Sequence, residues 1–130
     1  MFCGLLERLA VLWTGAACPS IEERLLVLGE FAHALRPLGP ANFLYSDGDA
    51  LFAHAHRRTQ SDRSLRPPGL WMLERQCIES RPDAQTNGIS LVGSPQSVVL
   101  LASVPLTGEH WRAIEQGRAL VAKAGRVLVV

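Results

Sequence analysis

Cysteine is scarce and scattered: Cys3, Cys18 and Cys77 are an odd number, and no CxxC pair is present. That spacing suggests neither a disulfide framework nor a zinc knuckle, and reduced thiols in a cytoplasmic protein are the simplest account. Charge of one sign is missing too. Thirteen basic residues stand against 12 acidic ones, a formal charge of +1. So near-neutral a chain gives no electrostatic reason to expect nucleic acid or an anionic membrane as partner. No apolar run approaches the ~20 residues of a spanning helix. The nearest, "LAVLWTGAAC", ends in small residues before Cys18 as a secretory leader does. Glu7 offsets Arg8 just ahead of it, however, and a leader wants a net-positive start. There is no internal repeat, no low-complexity tract and no GxxxxGK spacing to cradle a phosphate.

What is present suffices for one domain: 130 residues, 48% of them hydrophobic. Phe2, Leu5, Leu6, Leu9 and Leu12 recur at helical spacing, which predicts an amphipathic helix ending near Thr14-Gly15. Ser20 followed by Glu23 is a capping box for a second helix, with Leu25, Leu28, Phe31, Ala32 and Leu35 as its buried stripe and Pro37 and Gly39 as its stop. Beyond residue 40 the period changes from 3.6 to 2. "NFLYSDGDALFAHAHRR" predicts a hairpin around Ser46-Asp47-Gly48-Asp49. A polar loop follows from Thr59 to Pro68, then a strand in "GLWMLERQCI". Arg81 to Pro95 reads mainly as loop, with a short strand near Ile89 to Val92. "SVVLLASVPL" has the continuous apolar character of a strand covered on both faces, "TGEHWRAIEQG" predicts a short helical turn, and "RALVAKAGRVLVV" a closing hairpin at Ala124-Gly125. The expected fold is α+β: a helix pair over residues 1–38 packed on a mostly antiparallel sheet over 41–130.

Candidate site residues each meet a plainer explanation. His54 and His56 lie two apart on a strand and share a face with Phe52 at roughly 7 Å spacing. An H-x-H pair can hold a metal, but no third ligand has suitable spacing, so a sheet edge or packing under a helix is expected and no metal. Arg57 and Arg58 continue the strand and could meet an anion, but an exposed strand end is the expected reading. Asp47 and Asp49 look like paired carboxylates, yet turn chemistry accounts for both. Cys18 and Cys77 lack a His or Lys/Arg cluster that would favour a thiolate. Trp13, Trp71 and Trp111 are too far apart to stack on bases and are expected in the core.

Two stretches carry a family resemblance. "NFLYSDGDALFAHAHRR" resembles the central hairpin of small, stand-alone class II glutamine amidotransferases. "VVLLASVPLTGEHWRAIEQGRALVAKAGRVLVV" resembles their C-terminal end, through Pro105-Leu106-Thr107, Trp111, Gly117 and Gly125-Arg126. "MFCGLLERL" is similar to the family's mid-chain helix, which follows its Ser-Asp-(Ser/Thr)-Glu motif. The likeness runs the whole length of this chain but covers only the second half of the family's usual length. It implies half of an αββα N-terminal-nucleophile hydrolase sandwich, hence a single partial domain, 1–130. In the intact enzyme an N-terminal Cys attacks the carboxamide of glutamine and its own α-amine moves the proton, giving glutamate and ammonia.

Cys3 cannot fill that role. Phe2 precedes it, so its backbone nitrogen is not a free amine, and "ERLAVLW" after it has helical period instead of a nucleophile strand. No Arg-x-x-His or His-Asn-Gly stretch follows, so Cys3 is expected in core packing. No catalytic, cofactor or metal residue is assigned, and no cofactor is expected. The resemblance implies a scaffold portion, inactive alone, whose partner is a missing N-terminal half or a second copy joined through an exposed sheet. A non-enzymatic α+β module for binding or self-association is the competing reading.

Overall fold

A computed structural model of the chain describes residues 2–15, 17–77, 85–86, 89–90 and 96–129. These fall into two compact units, Met1–Ala41 and Asn42–Val130. In the first, α1 (Phe2–Ala10) and α2 (Ile21–Leu35) contact each other. Leu5 and Leu9, one turn apart on the same face of α1, are fully buried, and each contributes about 2 kcal/mol by leaving water. The chain then tightens into a 3-10 turn over Leu12–Thr14. At the start of α2 the capping box forms. The Ser20 hydroxyl accepts from the Glu23 N–H at 3.1 Å, and the Glu23 carboxylate accepts from the Ser20 N–H at 2.8 Å. Leu28, Phe31 and Ala32 are buried with Arg24, whose Nε donates to the Ser20 carbonyl at 3.2 Å. A 3-10 turn, Arg36–Leu38, closes the unit at Pro37.

Two expectations fail in this unit. Cys3 is exposed, not packed in a core. It lies two residues before Leu5, about 200° around the helix from the buried stripe. Trp13 is 40% exposed, because the chain has left the helical phase before reaching it.

The second unit runs through β1 (Phe43–Ser46), β2 (Leu51–His54), β3 (Arg58–Thr59), β4 (Leu65–Arg66), β5 (Trp71–Cys77), β6 (Gln85–Thr86), β7 (Ile89–Ser90), β8 (Gln96–Ala102), β9 (Arg112–Ala113), β10 (Ala119–Lys123) and β11 (Arg126–Val129). Every pairing between the described strands is antiparallel. A four-stranded sheet is ordered β1-β2-β10-β11, a three-stranded one β8-β5-β9, and β3-β4 and β6-β7 form two-residue ladders. The β1–β2 hairpin keeps the register Phe43↔His54 to Ser46↔Leu51, as its alternation predicts. Residues from both larger sheets meet in one core: Ala53, Leu120 and Ala122 from the first with Met72 from the second, joined by Ala55, Leu70 and Ile114, and flanked by Val99 and Leu101 of β8. The opposite face of the four-stranded sheet carries Phe52 and Val121, both fully buried.

The remaining corrections concern three segments. The Thr59–Pro68 loop contains the β3–β4 ladder, Arg58↔Arg66 and Thr59↔Leu65. "TGEHWRAIEQG" is not helical: β9 joins β5 there, and the Ile114 N–H donates to the Leu70 carbonyl at 3.0 Å. The open side of β5 supplies backbone partners there, and the segment takes these instead of helical bonds of its own. β8 is a sheet edge, half-buried from Ser97 to Ala102, and not a strand enclosed on both sides. Of the Arg81–Pro95 reading, β6 and β7 are described; the rest lies outside the described residues.

Candidate functional site

The segments that carry the family likeness hold loops onto strands. In the β1–β2 turn, Asp47 Oδ1 accepts from the N–H groups of Asp49 and Ala50, both at 3.0 Å. Such a bond pattern fixes the turn through its own side chain. The Asp49 carboxylate receives Lys123 Nζ at 2.6 Å, joining that turn to the end of β10. Beside them lies a cavity of about 260 Å³ lined by Ser46, Leu51, Val99 and Gly125 among others. Its lysine and aspartate neutralise each other, so it offers no unmatched charge. Ala124 and Gly125 have φ of 49° and 72°, the primed turn that matches strand twist. A Cβ on Gly125 would stand 1.8 Å from the Ser97 carbonyl oxygen, so the hairpin turn and β8 touch backbone to backbone.

The Pro105-Leu106-Thr107 to Trp111 stretch is tied to β5 by a chain of polar bonds. Arg75 forks onto the Glu109 carboxylate, Nε to Oε1 at 3.0 Å with a second bond from Nη2 to Oε2. The Thr107 hydroxyl donates to the same carboxylate at 2.7 Å, and the indole N–H of buried Trp111 donates to that hydroxyl at 3.0 Å. The Arg75 guanidinium and then the Thr107 hydroxyl hold the Glu109 carboxyl below its ordinary range. A smaller knot closes the β3–β4 turn. Ser64 hydroxyl and backbone donors, helped by Arg66, pull the exposed Asp62 carboxyl down to about 2.

Asn42 forms the third tie. Its Oδ1 accepts the His56 N–H at 2.7 Å and its Nδ2 donates to the Arg57 carbonyl at 2.8 Å, so one amide satisfies the backbone just past β2. Gly69 presses against that amide: a Cβ there would lie 1.9 Å from Asn42 Oδ1. The sequence reading passed over Asn42 and the Arg75–Glu109 pair. Nothing local marks Asn42 apart from an asparagine just ahead of a strand, and the ion pair spans 34 positions.

The other candidates are placed as follows. His54 and His56 are buried, 3% and 5% exposed, and His54 stacks on Phe43 with ring centroids 5.3 Å apart. Among the described residues no group of three His, Cys, Asp or Glu could hold a metal ion. Arg57 and Arg58 are half-buried, each with a buried Nε that has no partner among the described residues. Cys3 has no hydrogen-bond partner among the described residues, and exposed Cys18 donates only weakly, to the Pro19 carbonyl at 3.6 Å. The geometry thus brings together no nucleophile and base among the described residues.

The sequence pattern of the class-II glutamine amidotransferases matches the chain over residues 1–130. Among solved structures, the 2.0 Å crystal structure of a predicted glutamine amidotransferase from Pseudomonas aeruginosa PA01 is similar, with a TM-score of 0.71 at 26% identity. The match covers 99% of this chain and 48% of that one, so this chain spans about half the length of that relative. No curated protein matches. The match over the full 130 residues, with the paired antiparallel sheets beneath it, makes this chain a member of the class II glutamine amidotransferases.

Proposed function

We propose that this chain is the C-terminal scaffold portion, a single partial domain, of an N-terminal-nucleophile glutamine amidotransferase of the cytoplasm. The intact enzyme hydrolyses glutamine to glutamate and ammonia. An N-terminal cysteine thiol attacks the carboxamide carbon, and its α-amine takes the thiol proton and delivers it to the departing ammonia. Water then cleaves the thioester to release glutamate. Backbone and amide donors hold the oxyanion. None of that machinery is assigned to residues of this chain, which alone lacks glutaminase activity.

The observation that carries this reading is the 48% coverage of a structural relative by a chain that itself matches the family throughout. Cys3 supports it: a thiol on the outer side of α1, preceded by Phe2, has no α-amine of its own to act as base. The chain's partner is then a polypeptide supplying the N-terminal half, or a second copy. The outer edge of β8, seven residues without a charged side chain, is a place for such association.

Two results test it. DNA immediately upstream should encode, in frame, a Met-Cys start and an Asp-(Ser/Thr)-Glu motif ending beside Phe2. The purified chain alone should release no glutamate from glutamine above the buffer rate. A stop codon upstream with no separate polypeptide that supplies the N-terminal half, or glutamate release by the chain alone, contradicts the proposal.

A further inference from the structure

The near-neutral total of the chain hides one uneven stretch. Residues 57–66 carry four of its 13 basic residues, Arg57, Arg58, Arg63 and Arg66, and one of its 12 acidic ones, Asp62. That carboxylate is occupied: the Ser64 hydroxyl and N–H donate to it, and Arg66 Nη2 reaches it at 3.2 Å. Arg57, Arg58 and Arg63 have no carboxylate partner among the described residues. In the β3–β4 ladder Arg58 stands directly opposite Arg66, and like charges so placed destabilise a strand pair.

Arg57 and Arg58 differ from ordinary surface arginines in being half-buried. Each has its Nε shut off from solvent with no acceptor among the described residues. Arg58 gives Nη1 to the neighbouring Thr59 carbonyl at 3.2 Å, and the Arg57 guanidinium makes no hydrogen bond or ion pair with any described residue. A cation is seldom drawn out of water unless it is paired. The backbone that carries the two is fixed on both sides. Asn42 holds the His56 N–H and the Arg57 carbonyl, and Gln60 Nε2 donates to the Arg66 and Pro68 carbonyls at 2.8 and 3.1 Å. Unlike the hollow beside Lys123 and Asp49, this place has unmatched charge.

We infer that Arg57 and Arg58 form a binding site for a phosphate monoester, a dianion that supplies the counter-charge neither guanidinium has. A guanidinium presents five N–H donors in a planar fork that fits phosphate oxygens. Four cations against one carboxylate leave +3 on the stretch, which calls for more than one negative charge. A monoester carries about −1.5 to −2 at pH 7, where a carboxylate or a phosphodiester carries one. A nucleic acid would ask for cations spread along a surface, whereas the excess here ends within ten positions. The site uses no residue of glutamine hydrolysis, and its occupancy does not depend on an N-terminal half.

The test is an amide-resolved NMR titration of the full chain, at constant ionic strength, with methyl phosphate, dimethyl phosphate and acetate. Methyl phosphate should shift the amides of Arg57, Arg58 and Thr59 saturably. Dimethyl phosphate, the singly charged diester that lipids and nucleic acids present, should bind at least about fivefold more weakly, and so should acetate. Arg57→Gln and Arg58→Gln should each weaken methyl phosphate about tenfold. Arg57→Lys and Arg58→Lys keep the charge but not the fork; each should lose less, and each serves where the glutamine variant does not fold. Arg63→Gln removes the same charge from the exposed turn and should change the affinity by less than about twofold. No saturable shift, an equal response to the diester or to acetate, undiminished binding in the folded variants at 57 or 58, or an equal loss in Arg63→Gln each overturns the assignment.

Discussion

In Met1–Ala41 the bonds that shape the backbone are local: Glu23 with Ser20, Arg24 with Ser20, and Thr14 with Val11. In Asn42–Val130 they reach far along the chain. Lys123 meets Asp49 across 74 positions, Arg112 meets Glu74 across 38, and Arg75 meets Glu109 across 34. Helix ends must satisfy their own orphan donors nearby, so their chemistry is written in neighbouring residues. A sheet pairs segments that the sequence separates, so its ties are set only once the strands are in register. The same contrast predicts that breaking the β unit costs most at its close approaches, whereas breaking the helical unit costs about one cap.

Gly125→Ala should cost the most. It forces an alanine into a left-handed φ of 72° and drives its Cβ to 1.8 Å from the Ser97 oxygen, a combination that costs at least about 3 kcal/mol. Urea unfolding measures this; a loss within the range of an ordinary surface change means the turn does not press on β8. Asn42→Ala should come next at about 2 kcal/mol, because it leaves the His56 N–H and Arg57 carbonyl without their partner. Gly69→Ala should be similarly harmful alone but milder in the Asn42→Ala background, where the new methyl has room. Strict additivity of the two would show that Gly69 and Asn42 do not touch. Ser20→Ala, the local counterpart, should cost about 1 kcal/mol and shift α2 alone in hydrogen exchange.

The smallest effect is pH-dependent. The Glu109 carboxyl is held below the ordinary glutamate range in the folded chain, so its contribution is complete above that range and is lost as pH falls through the lowered value. Glu109→Gln should therefore melt slightly below the parent at neutral pH, with the gap closing under acid conditions. The exposed position of this carboxylate keeps the difference small. A gap that widens on acidification contradicts the assigned sign.

Legibility in the sequence follows the same divide. The capping box, the Asp47 turn, the Ala124-Gly125 turn and the central hairpin were readable because each is made by adjacent residues. The phase of α1 was not: five apolar residues fitted the stripe, but among the described side chains Leu5 and Leu9 are the ones fully buried, which turns Cys3 outward and leaves Leu6 52% exposed. Buried Arg24 was missed because its cation finds the backbone one turn away instead of water. β9 was read as helix because apolar spacing cannot reveal that β5 has an open side. Nor can composition say that β8 ends a sheet; alternation disappears equally in a covered strand and in an apolar edge. The family likeness rested on Thr107, Trp111 and Gly125, and each has a structural task that needs no substrate.

The central claim is that the thiol nearest the start of this chain is not a glutamine nucleophile. Its most direct test is mass spectrometry of the purified chain after incubation with a glutamine analogue that alkylates N-terminal-nucleophile cysteines. The account predicts that Cys3 labels no faster than exposed Cys18 and that glutamine gives no protection. Rapid labelling confined to Cys3, blocked by glutamine, would contradict it.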